Sequence, residues 1–257
     1  MSSLVLRFNL LRNNIRTSCP VRFLKQHAGF SSGKLLQPKS YEKRHFATNV
    51  FRHDQPATLL VFDVETTGFF HVNNRIVEFA LSDLSGGKDC TFQTLINPER
   101  DVPKYASKLN NITTKLVYRP DVPRFSDVLP ILLAYVRSRQ APSKPFMWIA
   151  HNAKGFDVPF LNHEFDRCSA QVPSDWLFVD NLCLARKWKK IDGKKNLVNL
   201  EALEKRYGIS SEGPSHRAMP DVEALWNILP KITLDFKLTC GDLMNEAMRF
   251  SDVRKVS

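Results

Sequence analysis

The sequence predicts an α/β domain built around a mixed, five-stranded sheet that is flanked by helices. Two patterns along the chain support this prediction. Three short strands separated by turn residues come first, and helices then alternate with two further strands. The composition agrees with a folded domain, because 43% hydrophobic and 11% aromatic residues in a chain of 257 can form a full core.

The first three predicted strands are short and are joined by turns, which favours an antiparallel meander. Thr-Thr-Gly ends the first strand, Gly-Gly closes the second, and Asn-Pro ends the third. The three predicted strands are residues 58–64, 75–84 and 89–96.

The second part of the domain alternates between helices and strands. Residues 98–124 are rich in Pro and short polar residues, so we expect loops and short helices there. Apolar runs predict strands at residues 146–150 and 176–179. Helical spacing of apolar residues predicts helices at 126–138, from Asp157, at 200–207 before Gly208, and from Pro220.

Composition argues against a membrane protein and against a disulfide or zinc framework. The longest apolar stretch, residues 128–136, is short and contains Pro130, whereas a membrane span needs about 20 apolar residues. We therefore expect no membrane partner. The five cysteines are scattered without a CxxC pair, which indicates reduced thiols.

The positive charge of the chain is concentrated at its N-terminus. The net charge is +11, but residues 1–50 hold nine Lys or Arg and one acid, Glu42, and therefore carry +8. The rest of the chain has 28 basic and 25 acidic residues and carries only +3. The overall charge alone is therefore weak evidence for a nucleic-acid partner.

The N-terminal segment has the pattern of an organelle presequence. Leu4, Phe8, Leu11 and Ile15 form one apolar stripe on a helix, and the first 18 residues contain three arginines and no acid. The alternative is a disordered basic tail. We expect a transit peptide with a disordered linker at 1–55, one folded domain at 56–232, and a helical extension at 233–257.

Two acids stand together at the end of the first predicted strand, in the stretch LLVFDVETTGFF. Because side chains alternate along a strand, Asp63 and Glu65 face the same way. Two ionised carboxylates so close repel each other unless a cation intervenes, and Mg²⁺ prefers such oxygens. The alternative is a strand-ending Asp and a turn Glu without further function.

Two later stretches carry further polar residues at predicted helix starts. Asp157 begins a helix in HNAKGFD, and Asp221 begins the last helix in HRAMPD, with His216 five residues earlier. Taken singly, each has an ordinary explanation: Asp157 is a helix cap, Asp221 complements a helix end, and His216 is a solvated loop residue.

Taken in order, FDVETTG, HNAKGFD and HRAMPD resemble the three motifs of the DEDDh family of 3′→5′ exonucleases. The resemblance implies a ribonuclease H-like fold. It also implies that His216 is catalytic and that four acids hold metal, namely Asp63, Glu65, Asp157 and Asp221. The sister group carries a tyrosine four residues before the last Asp, where this chain has Arg217.

The resemblance also implies a mechanism. Two Mg²⁺ ions, for which Mn²⁺ can substitute, would be held by the four acids, with Asp63 bridging both. His216 would take a proton from the attacking water, and nucleoside 5′-monophosphates would be released. Thr66 would bind the terminal nucleotide, and Asn152 would support substrate binding by holding the second motif. The other two histidines near this motif, His151 and His163, are expected to be structural.

A basic stretch at residues 185–195, ARKWKKIDGKK, offers a second contact with nucleic acid. Lys189 and Lys190 beside Trp188 would steer a strand and stack a base. The alternative is a solvated loop.

Three alternatives to a DNA exonuclease in a mitochondrion or plastid remain open: an RNA substrate, a polymerase-associated proofreading role, and an inactive binding domain. The oligomeric state is open as well. Two positions depart from the family pattern. Asn110-Asn111 stand where relatives often have His-Gly, and Asn111 is expected to keep the left-handed turn. Pro220 precedes Asp221, where the first helical turn tolerates it.

Overall fold

A computed structural model describes residues 57–69, 71–192, 198–210 and 216–253, with the backbone alone at 188–192. The predicted presequence and linker, residues 1–55, lie outside the described residues. The side chains of Lys189 and Lys190 lie outside them as well.

The described residues form the mixed five-stranded sheet that the sequence predicts, in the order β3-β2-β1-β4-β5. β1 pairs antiparallel with β2, and β2 pairs antiparallel with β3, which gives the meander. β1 pairs parallel with β4, and β4 pairs parallel with β5. The strands are β1 Thr58–Thr66, β2 Ile76–Asp83, β3 Thr91–Leu95, β4 Phe146–Ala150 and β5 Trp176–Asp180.

Helices follow the meander and then alternate with the parallel strands, as predicted. Two short helices occupy the Pro-rich segment, and the helix that precedes β4 contains Pro130. The helices are α1 Lys104–Asn110, α2 Thr114–Val117, α3 Phe125–Arg139, α4 Asp157–Arg167, α5 Asn181–Asp192, α6 Leu200–Tyr207, α7 Ala218–Asp235 and α8 Cys240–Asn245. A 3₁₀ turn, Phe250–Asp252, follows α8.

β1 runs two residues further than the sequence predicted, so that Glu65 and Thr66 belong to the strand. The reason is that pairing with β2 continues: Glu65 lies opposite Glu78, and the register shifts only between Glu65 and Thr66. Asp63 and Glu65 are therefore fixed on a rigid, hydrogen-bonded element instead of on a loop.

The sheet is covered on both faces by separate apolar cores. On one face, large aromatic side chains such as Phe62, Trp148 and Phe178 pack against residues of α3 and α4. On the other face, Leu59 and Val61 pack against residues of α6, α7 and α8. A fully buried side chain of this size contributes about 1.5–3 kcal/mol to folding. Since side chains alternate along β1, Asp63 and Glu65 continue the row of Leu59 and Val61 on the α7 face.

The basic stretch from residue 185 forms part of a helix as far as Asp192, and not a loop. Leu184 and Ala185 are buried in the α7-face core and anchor the first turns of α5. Burial of this apolar face outweighs the repulsion among the basic residues, because exposed like charges are largely screened in water.

The C-terminal residues return to the edge of the sheet. α7 continues through Pro230 to Asp235, and Met248 later pairs with Phe178 of β5 through two main-chain hydrogen bonds of 2.8 Å. The ring of Phe250 packs 5.2 Å from that of Phe178. The predicted boundary at residue 233 stays a prediction. No helix among the described residues is long and apolar enough to span a membrane.

Candidate active site

Three of the four predicted acids meet at one end of β1. Asp63 and Glu65 project from β1 toward α7, and Asp221 lies in the first turn of α7, which packs across β1 and β2. Each of the three offers a carboxylate oxygen within 4.8 Å of the others. Residues far apart in the sequence thus converge on one point.

Asp157, the fourth acid, lies beside this group but outside the 4.8 Å cluster. It is the first residue of α4, its side chain is 1% exposed, and both of its oxygens are buried without a hydrogen-bond partner. After burial, the charge of Asp157 is the largest cause of the raised pKa of Asp63, which shows that the two groups are neighbours. A buried carboxylate without donors is costly unless a cation compensates it.

The four acids hold their protons unusually strongly. Burial is the main cause in each case: it raises the pKa of Glu65 to about 8, that of Asp157 to about 8 and that of Asp221 to about 7. It also raises the pKa of Asp63 well above its ordinary value. Repulsion between the carboxylates adds to this effect, which is the pattern expected when like charges share a site.

The donor set fits hard divalent cations. Mg²⁺ and Mn²⁺ bind carboxylate oxygens, and a bound cation would stabilise the ionised forms that burial and repulsion now disfavour. The two free oxygens of Asp157 and the three clustered carboxylates would hold such ions.

The loop before α4 is held by Asp180 at the end of β5. The Asp180 carboxylate accepts hydrogen bonds from the main-chain N–H groups of Asn152 (3.0 Å), Lys154 (3.1 Å) and Leu182 (2.9 Å). Asn152 has a φ of 72°, and its carbonyl oxygen accepts from the N–H groups of Gly155 and Phe156. Asp180 and Asn152 together fix the turn that delivers Asp157 to the site.

His151 has a structural environment. Its Nδ1 lies 3.0 Å from the side-chain amide nitrogen of Asn181. Burial lowers the pKa of His151 to about 4, so the ring stays neutral. A buried ring with so low a pKa is a weak base at neutral pH, and this supports its predicted structural role. His163 lies within α4.

His216 stands at the same end of α7 as Asp221. Its side chain is exposed, its backbone has a φ of 60°, and its main-chain N–H lowers the pKa of Asp221. The imidazole is therefore accessible from solvent.

Comparison with known proteins agrees with this geometry. A family model described as "Exonuclease" matches residues 60–229. The chain is 43% identical over 198 residues to "Exonuclease DPD1, chloroplastic/mitochondrial" of Arabidopsis thaliana. This chain belongs to the exonuclease family. The alignment spans 76% of this chain and 62% of the Arabidopsis exonuclease.

Solved structures of exonucleases share the fold. The nuclease domain of 3′hExo, described as a DEDDh family member bound to rAMP, has a TM-score of 0.59 at 17% identity and covers 76% of this chain and 99% of its own. Exonuclease X, in complex with 5′ overhanging duplex DNA, has a TM-score of 0.52 at 22% identity and covers 73% and 98%. The ribonuclease H-like fold predicted from the motifs is confirmed, and so is the predicted exonuclease family, while the DEDDh type stays a prediction.

The mouth of the exonuclease site lies where β1 ends. Thr66 donates its hydroxyl to the carbonyl oxygen of Gly68 (2.6 Å), and the Asn110 amide donates to the carbonyl oxygen of Thr66 (3.2 Å). Asn111 has a φ of 59°, so the predicted left-handed turn is present. Four large apolar side chains near this mouth are exposed, namely Phe69 (80%), Val72, Tyr105 and Leu109.

Sequence reasoning missed three polar residues that shape the site: Glu78, Asn110 and Asp180. The pattern RIVEFAL contained a signal for Glu78, because a Glu inside an apolar strand must find a partner. Asp180, at the end of the apolar run WLFVD, is likewise an acid that needs a partner. Asn110 was noted only as a departure from the family, and its contact with Thr66 depends on tertiary structure.

Proposed function

We propose that this exonuclease is a Mg²⁺-dependent enzyme that hydrolyses DNA from its 3′ end and releases nucleoside 5′-monophosphates. The observation that carries the proposal is the convergence of Asp63, Glu65 and Asp221 within 4.8 Å, with the unpartnered carboxylate of Asp157 beside them. Such a cluster suits phosphodiester hydrolysis, in which negative charge develops on phosphate oxygens.

The roles of the residues follow from their environments. The four acids would hold two divalent cations. Bound there, the cations would lower the pKa of an attacking water and stabilise the leaving 3′ oxygen. His216 would accept the proton of that water, because a neutral imidazole can accept a proton and this side chain is exposed at the same end of α7 as Asp221.

The exposed apolar side chains near the end of β1 would contact the terminal bases of the substrate. Phe69 and Tyr105 present aromatic surface near Thr66, and bases stack on such side chains whatever their identity. The main-chain N–H of Thr66 would contact the terminal nucleotide. Lys189 and Lys190 would contact the phosphate backbone, as the basic composition of residues 185–195 suggests.

DNA is proposed before RNA because the polar groups at the mouth already have partners within the protein. Recognition of RNA usually involves the 2′-hydroxyl. The Thr66 hydroxyl and the Asn110 amide are both engaged in internal hydrogen bonds. RNA remains the second candidate, since a structural neighbour is described with bound rAMP. A proofreading role beside a polymerase and an inactive binding domain are the less favoured alternatives.

We further propose that the enzyme degrades organelle DNA in a mitochondrion, a plastid or both. The acid-free, amphipathic start of the chain and the name of the Arabidopsis relative support this location. A fusion of residues 1–55 to a fluorescent protein should enter one of these organelles. Diffuse fluorescence throughout the cell would contradict the proposal.

The activity can be tested with 3′- and 5′-labelled oligonucleotides of matched DNA and RNA sequence. Mononucleotide release should begin at the 3′ end of DNA, require Mg²⁺ or Mn²⁺, and stop with EDTA. Asp63→Ala and Asp157→Ala should each lower the rate by about 10³-fold or more, and His216→Ala by about 10²-fold or more.

Asp166→Ala is the matched control, since Asp166 lies on the same helix as Asp157 but is exposed. It should keep the parental rate. Parental activity in Asp63→Ala or His216→Ala would refute the mechanism, and faster digestion of RNA would assign the enzyme to RNA.

A further inference from the structure

A buried ion pair joins β2 to the chain immediately after His216. Glu78 is 1% exposed, and its carboxylate accepts hydrogen bonds from Arg217 Nε (2.8 Å), Arg217 Nη2 (2.7 Å), the main-chain N–H of Ala218 (3.1 Å) and the Gln93 amide (3.0 Å). The carboxylate is thus saturated with donors, and the guanidinium binds it through two parallel bonds. Two parallel bonds fix the orientation of the guanidinium relative to the carboxylate as well as the distance between the two groups.

The location of this pair gives it a link to the active site. Glu78 lies opposite Glu65 in the β1–β2 register, so their side chains share the face that α7 covers. Arg217 is the residue between His216 and the first residue of α7. A single carboxylate on the central meander therefore holds both the side chain and the main chain that follow His216.

The backbone of His216 requires such support. Its φ of 60° lies in the left-handed region, which residues other than Gly adopt only when their surroundings hold them there. The bonds from Glu78 to Arg217 and Ala218 fix the chain on the C-terminal side of this strained residue.

We propose that Glu78 and Arg217 are positioning residues that hold His216 in its reactive orientation beside the acids. This inference rests on the proposed role of His216 as the general base. The pair acts through the direction in which it holds the backbone of the loop.

Two conservative substitutions test whether the pair acts through its hydrogen-bond geometry or only through its charges. Glu78→Gln keeps the size of the side chain, but its amide nitrogen cannot accept, so at least one of the four bonds is lost. Arg217→Lys keeps the positive charge but loses the two-bond fork. If the pair positions His216, both variants should lower kcat by about 10- to 100-fold and leave KM within about twofold.

Asp83→Asn is the matched control. Asp83 lies on the same strand as Glu78 and is 2% exposed, and it accepts from Arg139 Nε (2.6 Å) and from the main-chain N–H of Ser85 (2.8 Å). It pairs with Leu60 near the start of β1, away from the acids. The Asp83→Asn variant should lose thermal stability, as the Glu78→Gln variant does, but it should keep the parental kcat. Equal kcat values for Asp83→Asn and Glu78→Gln would overturn the inference, as would parental activity in Arg217→Lys.

A double substitution tests whether the pair acts through His216. In the His216→Ala chain, Glu78→Gln should lower the remaining rate by less than about twofold, because the group it positions is absent. A persistent tenfold loss would overturn the inference. Full activity in His216→Ala would refute the general base and the inference together. An inactive His216→Ala combined with a fully active Glu78→Gln would refute the inference alone.

Discussion

At the scale of single residues, the central feature is a set of four carboxylates that the fold brings together against their mutual repulsion. Burial raises the pKa of each, and neither oxygen of Asp157 has a hydrogen-bond donor. Functional sites often carry such strain because the same groups that destabilise the fold perform the chemistry.

The metal-free protein should lose stability as the pH rises. Glu65 and Asp157 have pKa values of about 8 when folded, whereas unfolded carboxyls titrate near 4. Between these values the folded state binds more protons, so this contribution to stability is full below about pH 4 and is lost as the pH rises through about 8. Thermal melts in EDTA should give a higher Tm at about pH 5.5 than at about pH 8.5, and Mg²⁺ should raise the Tm mainly at the higher pH.

The same argument predicts that Asp63→Asn stabilises the metal-free protein while removing its activity. At about pH 8 in EDTA we expect a Tm higher by about 3–6 °C, because folding no longer has to bury a carboxyl group that is ionised in the unfolded chain. Asp166→Asn on α4 should leave the Tm unchanged. A lower Tm for Asp63→Asn would contradict the view that the acids strain the fold.

At the scale of secondary-structure elements, the ends of strands and helices carry the site. Asp180 ends β5 and binds three main-chain N–H groups, two of them in the loop that leads to Asp157. The last residue of β5 therefore holds the loop that follows the neighbouring strand, β4.

Asp180→Asn should loosen this loop. An amide offers one acceptor oxygen where the carboxylate offers two, so at least one hydrogen bond is lost, at a cost of about 1–3 kcal/mol. Hydrogen–deuterium exchange should become faster at residues 152–156, and exonuclease activity should fall. Asp175→Asn, just before β5, is the control, and unchanged exchange at 152–156 in Asp180→Asn would refute the assignment.

Most elements could be predicted from the sequence because local signals agree with the fold. Period-two and helical apolar patterns gave the five strands and the main helices, and Gly208, with a φ of 61°, ends α6 where predicted. The ordered motifs gave Asp63, Glu65, Asp157 and Asp221. The sequence did not predict α5, because its run of basic residues obscures the short apolar face that Leu184 and Ala185 bury in the core.

The contacts of Glu78 and Asp180 could not be predicted, because their partners are distant in sequence. Arg217 lies 139 residues from Glu78, and Asn152 lies 28 residues from Asp180. A single sequence shows that a buried acid needs a donor, but it does not show which donor the fold supplies.

At the scale of the whole molecule, the described cores on the two faces of the sheet are built from residues of 57–253. The family match begins at residue 60, and the net charge of +8 belongs to residues 1–50. We therefore predict that residues 1–56 are not needed for folding.

Removal of residues 1–56 should leave the fold and the chemistry intact. We expect the Tm to change by less than about 2 °C and the rate on short oligonucleotides to stay at the parental value. The logarithm of DNA affinity should depend less steeply on the logarithm of salt concentration, because fewer phosphates are neutralised. Loss of cooperative unfolding in the truncated chain would contradict this prediction.

The distance along the chain between the first and the last acid has a consequence for synthesis. Asp63 is synthesised with β1, long before Asp221 is synthesised with α7. Met248, which pairs with the edge strand β5, is synthesised later still. A nascent chain that has left the ribosome only as far as α6 therefore lacks a complete set of ligands. The cluster of acids can therefore form only after α7 has been synthesised.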